Sequence, residues 1–177
     1  MKSTTIVIII ALIGLALFGA YALNIIPGLN NPLGDEVKDD AESISDSCSC
    51  DHSDIEIHAV LEAITNKTLS YPILVQYIDN LDMVMCHIDD TNYAGIINIY
   101  KDKYQDEGLI LYDTQDYGSG TWTARVGLWY TPDYNEIRTV TGISGVAVNS
   151  IFGHDTIFLL ASGDPSEWTS FWTWINS

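Results

Sequence analysis

Positive charge is scarce in this sequence of 177 residues. Seven Lys and Arg side chains stand against 24 Asp and Glu, which gives a formal net charge of -17 at pH 7. Nucleic-acid binding requires Lys and Arg to displace counterions from phosphates, so this composition excludes nucleic acid as a partner. The same imbalance opposes docking on anionic lipid headgroups. Disorder of the chain as a whole is excluded too, because five Trp and ten Tyr residues supply apolar surface for one folded domain.

Charge of either sign is absent from residues 3–33. Residues 6–26 are almost all apolar, and a helix of that length measures about 31 Å, against about 30 Å for the hydrocarbon core of a bilayer. Lys2 precedes the stretch and acidic residues follow it, which predicts a cytoplasmic N-terminus. We therefore expect residues 1–27 to form a membrane anchor. The alternative is a signal peptide cleaved after Ala22, which would release a secreted protein.

Acidic residues dominate the next segment. Residues 28–52 are rich in Asn, Pro, Gly, Ser and Asp, and Lys38 is their only Lys or Arg. Like charges repel one another, so we predict that this segment is a flexible acidic tether that lifts the domain off the membrane. The folded extracytoplasmic domain is then expected over residues 53–177.

Two amphipathic helices are predicted at the ends of this domain. Ser53 and Glu56 form a capping box. The apolar residues after it recur at helical spacing: Ile57, Val60, Leu61 and Ile64. Asp164 and Pro165 begin the second helix. Its apolar stripe is Trp168, Phe171, Trp172 and Ile175. Trp174 falls off this stripe, so we expect its side chain to point away from the core.

The residues between these helices favour strands. The predicted strands cover 94–100, 109–112, 121–130, 136–141, 146–149 and 156–161, separated by turn-rich segments at 101–108, 113–120, 131–135 and 152–155. Residues 73–78 fit either a strand or a helix after Pro72, and residues 83–88 fit a strand. Short connections favour antiparallel neighbours. The predicted fold class is therefore α+β, with an antiparallel sheet packed by the two terminal helices.

Cysteine is also rare, with three residues in the chain. Thiols of exported proteins tend to pair, but Cys48 and Cys50 are too close in sequence to pair with each other without strain. We therefore predict a disulfide between Cys86 and one of these two, with the third thiol left over. The alternative is a zinc site in which histidines join the thiols: His52, His58 and His87. The spacing C-x-C-x-H is not a standard zinc signature, so we predict no metal and no cofactor.

Two weak signals fall in predicted turns or helix ends. Asp113, Asp116 and Ser119 cluster in one segment, which predicts a weak calcium loop, although their order does not match the register of a calcium-binding loop. Asn66 begins the sequon Asn-Lys-Thr and is a glycosylation candidate outside a cell.

One surface candidate lies on the predicted strand 121–130. Alternation places Arg125 and Trp129 on its more polar face, where they can form a binding surface. The alternative is that Trp129 packs beneath the second helix, which is the more frequent fate of such a residue.

No catalytic residues are predicted. Cys86 and His87 are adjacent on a predicted strand, so their side chains point to opposite faces and do not form a nucleophile–base pair. The sequence therefore predicts a membrane-anchored, extracytoplasmic binding or accessory domain without enzymatic activity, with an unknown protein or small ligand as its partner. The alternatives are a small secreted enzyme and a structural subunit of a cell-surface assembly.

Overall fold

A computed structural model describes residues 38, 41–89 and 91–177. The predicted anchor over residues 1–27 lies outside the described residues, as does most of the segment from 28 to 40. In the described part of the chain, no helix has the length and apolar character needed to cross a membrane.

A five-stranded antiparallel sheet forms the centre of the described domain. Its strands are β1 (Val84–His87), β2 (Ile110–Ser119), β3 (Trp122–Tyr130), β4 (Ile137–Ser144) and β5 (Thr156–Gly163). They lie in the order β1-β5-β4-β3-β2, so successive hairpins join β2, β3 and β4, and β5 returns between β4 and β1. The α+β class and the antiparallel sheet predicted from the sequence are confirmed.

Five helices pack around this sheet within the described residues: α1 (Asp54–Thr65), α2 (Tyr71–Asn80), α3 (Tyr93–Asp106), α4 (Val146–Phe152) and α5 (Pro165–Asn176). One face of the sheet is covered by α1, α2, α4 and α5, whose apolar side chains join those of alternate strand positions in one core cluster. The opposite face is covered by α3, whose buried residues form a second cluster. Helices therefore lie on both faces of the sheet, and the two terminal helices share one face.

Helix α3 corrects the predicted strand at residues 94–100 and the predicted turn at 101–108. The side chain of Asn92 accepts hydrogen bonds from the backbone N–H groups of Ala94 and Gly95, each at 3.0 Å, which begins a helix. The buried residues then recur at helical spacing: Ile96, Ile97, Tyr100 and Tyr104. The isoleucines resemble a strand in composition, but their spacing places them on one helix face against the sheet.

Two other segments differ from the predicted secondary structure, and a third resolves an ambiguity in it. Residues 113–119 continue strand β2 and do not form a turn, because β3 pairs with them up to Ser119. Residues 146–149 belong to the short helix α4, which is bounded by Gly145 and by Gly153 at a φ of 77°. The ambiguous residues after Pro72 are helical, in α2.

The disulfide joins Cys50 to Cys86. Ser49 and His87 exchange both backbone hydrogen bonds, at 3.2 and 2.9 Å, so the segment around Ser49 runs antiparallel to β1. The next residue pair in such a ladder is the closely spaced, non-hydrogen-bonded one. That pair is Cys50 and Cys86, with a Cα–Cα distance of 4.1 Å. This register selects Cys50 over Cys48, a choice that the sequence left open.

Residues 41–50 also pack on the second face of the sheet, although the sequence places them in a flexible tether. The side chains of Ala41 and Cys50 are buried, at 0% and 5% exposure. Ile44 and Cys48 pack against the same cluster. The packed domain therefore begins upstream of residue 53.

Helix α5 buries most of its predicted stripe. Trp168, Phe171 and Ile175 are each 5% exposed, and the Trp168 indole N–H donates to the Ile137 carbonyl at 3.0 Å. Trp174 does not point away from the protein as expected. Its ring stacks on Tyr77 of α2 with ring centroids 5.2 Å apart, because α2 lies beside α5.

Candidate functional site

An apolar cavity of about 130 Å³ lies between the sheet and helices α1 and α5. Small side chains on three neighbouring strands form part of its lining: Ala124 on β3, Thr139 and Thr141 on β4, and Ala161 on β5. Larger rings line it as well: Trp122, Trp168, Phe171 and Trp172. The register of the three strands brings these small residues close together, and they leave space that the rings do not fill. The cavity is a consequence of this arrangement.

Tyr117 provides a hydroxyl group at this cavity. It lies on β2 directly opposite Ala124 of β3. Its hydroxyl oxygen is buried and has no hydrogen-bond partner within the described residues. Burial raises the pKa of Tyr117 to about 12, and the negative charge of Asp113 adds to the rise. The site thus combines an apolar lining with a buried hydroxyl that can donate or accept one hydrogen bond.

Three of the four histidines of the chain meet at one end of β1. His52 precedes α1, His87 ends β1, and His154 lies in the turn before β5. Nε2 of His52 is 3.0 Å from Nδ1 of His87. The rings of His87 and His154 stack with their centroids 3.5 Å apart and an interplanar angle of 14°.

Three carboxylates contact these rings. Glu56 Oε1 is 3.2 Å from Nδ1 of His52, and Asp89 Oδ1 is 3.2 Å from Nδ1 of His154. Asp51 Oδ1 is 3.8 Å from Nδ1 of His87. Burial lowers the pKa of His87, and the neighbouring His154 and His52 lower it further, against the opposing effect of the carboxylates.

The structure separates the thiols and histidines of the zinc alternative into two groups. The sulfurs of Cys48, Cys50 and Cys86 lie within 4.8 Å of one another, but two of them are joined in the disulfide and cannot serve as thiolate ligands. His58 lies elsewhere, with Nε2 2.9 Å from the Leu69 carbonyl oxygen. A separate group, Asp51, His52 and His87, also has its ligand atoms within 4.8 Å of one another.

The predicted binding surface around Arg125 and Trp129 is not formed as expected. Trp129 is 1% exposed and packs beneath α3, edge-on to the ring of Tyr104. It is therefore a core residue, as the alternative stated, but under α3 and not under the C-terminal helix. Arg125 makes two hydrogen bonds to the carboxylate of Asp116, at 2.6 and 2.7 Å, which lower the pKa of that carboxyl.

The predicted calcium loop has a different backbone from the one expected. Asp113, Asp116 and Ser119 lie along strand β2, and the carboxylate of Asp116 is held by Arg125. Calcium binding itself stays a prediction. Asn66 caps the C-terminal end of α1 in a left-handed conformation and is exposed, and its glycosylation also stays a prediction.

Sequence reasoning named His52 and His87 only as partners of the thiols in the zinc alternative, and it missed Tyr117, Asp51 and His154. The sequence placed Tyr117 in a turn and His154 in a solvated turn, and neither has a local motif that marks it. The functional interpretation rests on the geometry of these two sites, because no family model matches the chain and neither curated proteins nor solved structures show a significant similarity to it.

Proposed function

We propose that this protein is a membrane-tethered, extracytoplasmic binding domain that holds a small, mainly apolar ligand between its sheet and helices α1 and α5. The observation that carries this proposal is the buried hydroxyl of Tyr117, which has no partner in the described residues at an otherwise apolar cavity. A buried polar group without a hydrogen bond costs about 1–3 kcal/mol. A ligand with one hydroxyl or carbonyl group would remove that cost on binding.

The cavity volume limits the size of the group it can hold. About 130 Å³ is close to the roughly 150 Å³ of an apolar cavity that accepts benzene. The fitting group is therefore a single six-membered ring or a branched alkyl end. Several lining side chains, including Thr65, Val126 and Trp172, are only half-buried, so the rest of a larger ligand can extend toward solvent.

Binding, and not catalysis, fits the chemistry of this cavity. The side chains that line it in the described residues include no Asp, Glu, His, Cys or Lys. The Thr and Tyr hydroxyls of the lining would need an adjacent base or a pKa near neutral to act in catalysis, and burial raises the pKa of Tyr117 instead. The lining provides apolar surface and hydroxyl groups, which are suited to holding a ligand.

The extracytoplasmic location is supported by the disulfide and by the N-terminal sequence. Disulfides persist in oxidising compartments and are rare in the cytosol. The apolar residues 6–26 have the length of a membrane span, with Lys2 before them. Protease added to intact cells is expected to remove the domain and leave a small membrane-bound stub. Protection of the domain would contradict this topology.

Phenol and toluene form a matched pair of probes for the cavity, since they differ by one hydroxyl group. The full chain in lipid nanodiscs is titrated with each and followed by tryptophan fluorescence. Phenol is expected to bind more weakly to the Tyr117→Phe variant by roughly two- to tenfold, the value of one neutral hydrogen bond. Toluene binding is expected to stay unchanged.

Two further variants complete this test. Tyr112→Phe alters an exposed tyrosine on the same strand and is the control for the loss of a hydroxyl. Ala124→Leu adds three carbon atoms at the cavity lining and is expected to reduce the binding of both probes. The proposal is contradicted if Ala124→Leu binds both probes as well as the parent protein, or if Tyr117→Phe and Tyr112→Phe affect phenol equally.

A further inference from the structure

We propose that Asp51, His52 and His87 form a binding site for a divalent transition-metal ion of the Zn²⁺ class. This site lies at the end of β1 and is independent of the cavity described above. The three residues offer two imidazole nitrogens and one carboxylate oxygen, all within 4.8 Å of one another. Two histidines and one carboxylate, with a fourth position left to water, are a ligand set that zinc accepts.

The spacing of the two imidazoles suits a shared ion. Nε2 of His52 and Nδ1 of His87 are 3.0 Å apart. Two nitrogens bound tetrahedrally to Zn²⁺ at about 2.0–2.1 Å are separated by about 3.3 Å. The nitrogens need to separate by only a few tenths of an ångström, and both rings also need to turn so that their lone pairs converge on the ion. Asp51 lies 3.8 Å from the same nitrogen of His87.

The proton positions also favour this site. The carboxylate of Glu56 accepts from Nδ1 of His52 at 3.2 Å, so the lone pair of Nε2 points toward His87. A carboxylate bound to the outer nitrogen of a histidine is the usual support for a metal-binding imidazole. A neutral His87 in the complementary tautomer then donates its Nδ1–H to that lone pair at 3.0 Å. Metal binding moves this proton from Nδ1 to Nε2 of His87, which leaves the charge of the ring unchanged.

The surrounding structure fixes both rings before an ion binds. The Cys50–Cys86 disulfide and the backbone pair Ser49–His87 hold the segment that carries Asp51 and His52 against β1. The side chains of His52 and His87 are 7% and 15% exposed, whereas Asp51 is 74% exposed and provides access from solvent.

His154 adds a further constraint on His87. Its ring stacks on that of His87, and Asp89 holds it in place. We assign it a positioning role, because its ring lies parallel to His87 and its Nδ1 bonds Asp89.

The ligand types decide the class of ion. Imidazole suits Zn²⁺, Cu²⁺ and Ni²⁺, whereas Ca²⁺ and Mg²⁺ prefer sites made of oxygen atoms. The net charge of -17 raises the local concentration of any cation, so the exposed carboxylates contribute weak background binding. Excess Mg²⁺ in the buffer suppresses that background without competing for nitrogen ligands.

The test uses the full chain in nanodiscs, stripped with a chelator and titrated with Zn²⁺ against a chromogenic competitor in the presence of Mg²⁺. We expect one Zn²⁺ per chain, and Co²⁺ is expected to give the visible absorption bands of a low-coordinate nitrogen site. His52→Gln, His87→Gln and Asp51→Asn should each weaken Zn²⁺ binding by at least tenfold. The Asp51 side chain is exposed, so Asp51→Asn should leave the fold intact, and this variant tests the site even where a histidine variant unfolds.

Two control variants test whether other side chains of the protein bind the Zn²⁺ ion. His58→Gln removes the histidine outside the cluster, and Cys48→Ser removes the thiol near the disulfide. Both are expected to bind Zn²⁺ like the parent protein. The proposal is overturned if the parent protein binds no stoichiometric Zn²⁺, if Asp51→Asn binds it with unchanged affinity, or if Cys48→Ser loses it.

Discussion

Removal of the disulfide is expected to destabilise the domain by about 4 kcal/mol. Cys50 and Cys86 are 36 positions apart in sequence. The loop-entropy relation for a closed loop of that length gives about 13 cal/mol/K, or about 4 kcal/mol at 25 °C, through the added freedom of the unfolded chain. Small domains have a total stability of about 5–15 kcal/mol, so this loss is a quarter or more of the total.

The experiment compares a Cys48→Ser protein, which retains the disulfide, with the same protein carrying Cys50→Ala and Cys86→Ala. Cys48 is replaced in both because a Cys48–Cys86 bridge would close a loop only two residues longer and recover nearly all of the entropy. Urea unfolding is followed by tryptophan fluorescence. The midpoint should fall, and the slope m should rise, because the unfolded chain without the bridge exposes more surface.

The reasoning is refuted if the variant without the disulfide loses less than about 1 kcal/mol. That result would mean that the unfolded chain holds these segments together without the covalent bond. A large loss with an unchanged m would instead assign the effect to native-state packing, since both cysteines are buried.

Helix α5 and the cavity provide the remaining predictions. Trp168→Ala should cost about 3–5 kcal/mol in urea unfolding, because the ring is 5% exposed and its N–H is bonded. Trp172→Ala and Trp174→Ala should each lower the free energy of unfolding by less than Trp168→Ala, and by similar amounts, because both rings are half-buried. A loss for Trp174→Ala as small as that of a surface substitution would contradict the stacking of this ring on α2. Stability should also fall between pH 10 and about 12, because the unfolded chain releases the Tyr117 proton in this range while the fold retains it. Tyr117→Phe should lack that part of the fall, and Tyr112→Phe should retain it.

The ends of the domain are predictable because their signals are local. Ser53 and Glu56 make the reciprocal bonds of a capping box, and the Asp164 side chain accepts from the first N–H groups of α5. Each device involves residues within one helical turn, so no knowledge of the rest of the fold is needed. The same holds for the alternation along residues 122–130, which form β3.

The secondary structure between the terminal helices is less predictable, because it depends on contacts with distant segments of the same chain. Residues 113–119 contain the Asp, Gly and Ser typical of turns, yet they form an edge strand, since β3 pairs with their backbone and most of their side chains, though not that of Tyr117, face solvent. The stretch 94–100 is rich in isoleucine, and only the cap at Asn92 and the helical spacing of its buried residues oppose a strand.

The candidate sites could not be located from the sequence for a similar reason. The cavity depends on small residues of three strands, and their register relative to one another is a tertiary property. His154 lies 67 positions after His87, and nothing near either residue indicates that their rings stack. The sequence named His52 and His87 in the zinc alternative, but it left open which cysteine pairs with Cys86, and that bond is what brings His52 toward His87.

The position of the disulfide also determines how the domain responds to a mechanical pull from its N-terminal side. Once residues 41–49 detach, the load passes through the sulfur–sulfur bond from Cys50 directly into Cys86. Helices α1 and α2 lie inside the closed loop and carry none of this force. The loaded element is β1, an edge strand that borders only β5 in the sheet. Tension applied from the N-terminal side would therefore act on the backbone beside His87 before it reached the sheet interior.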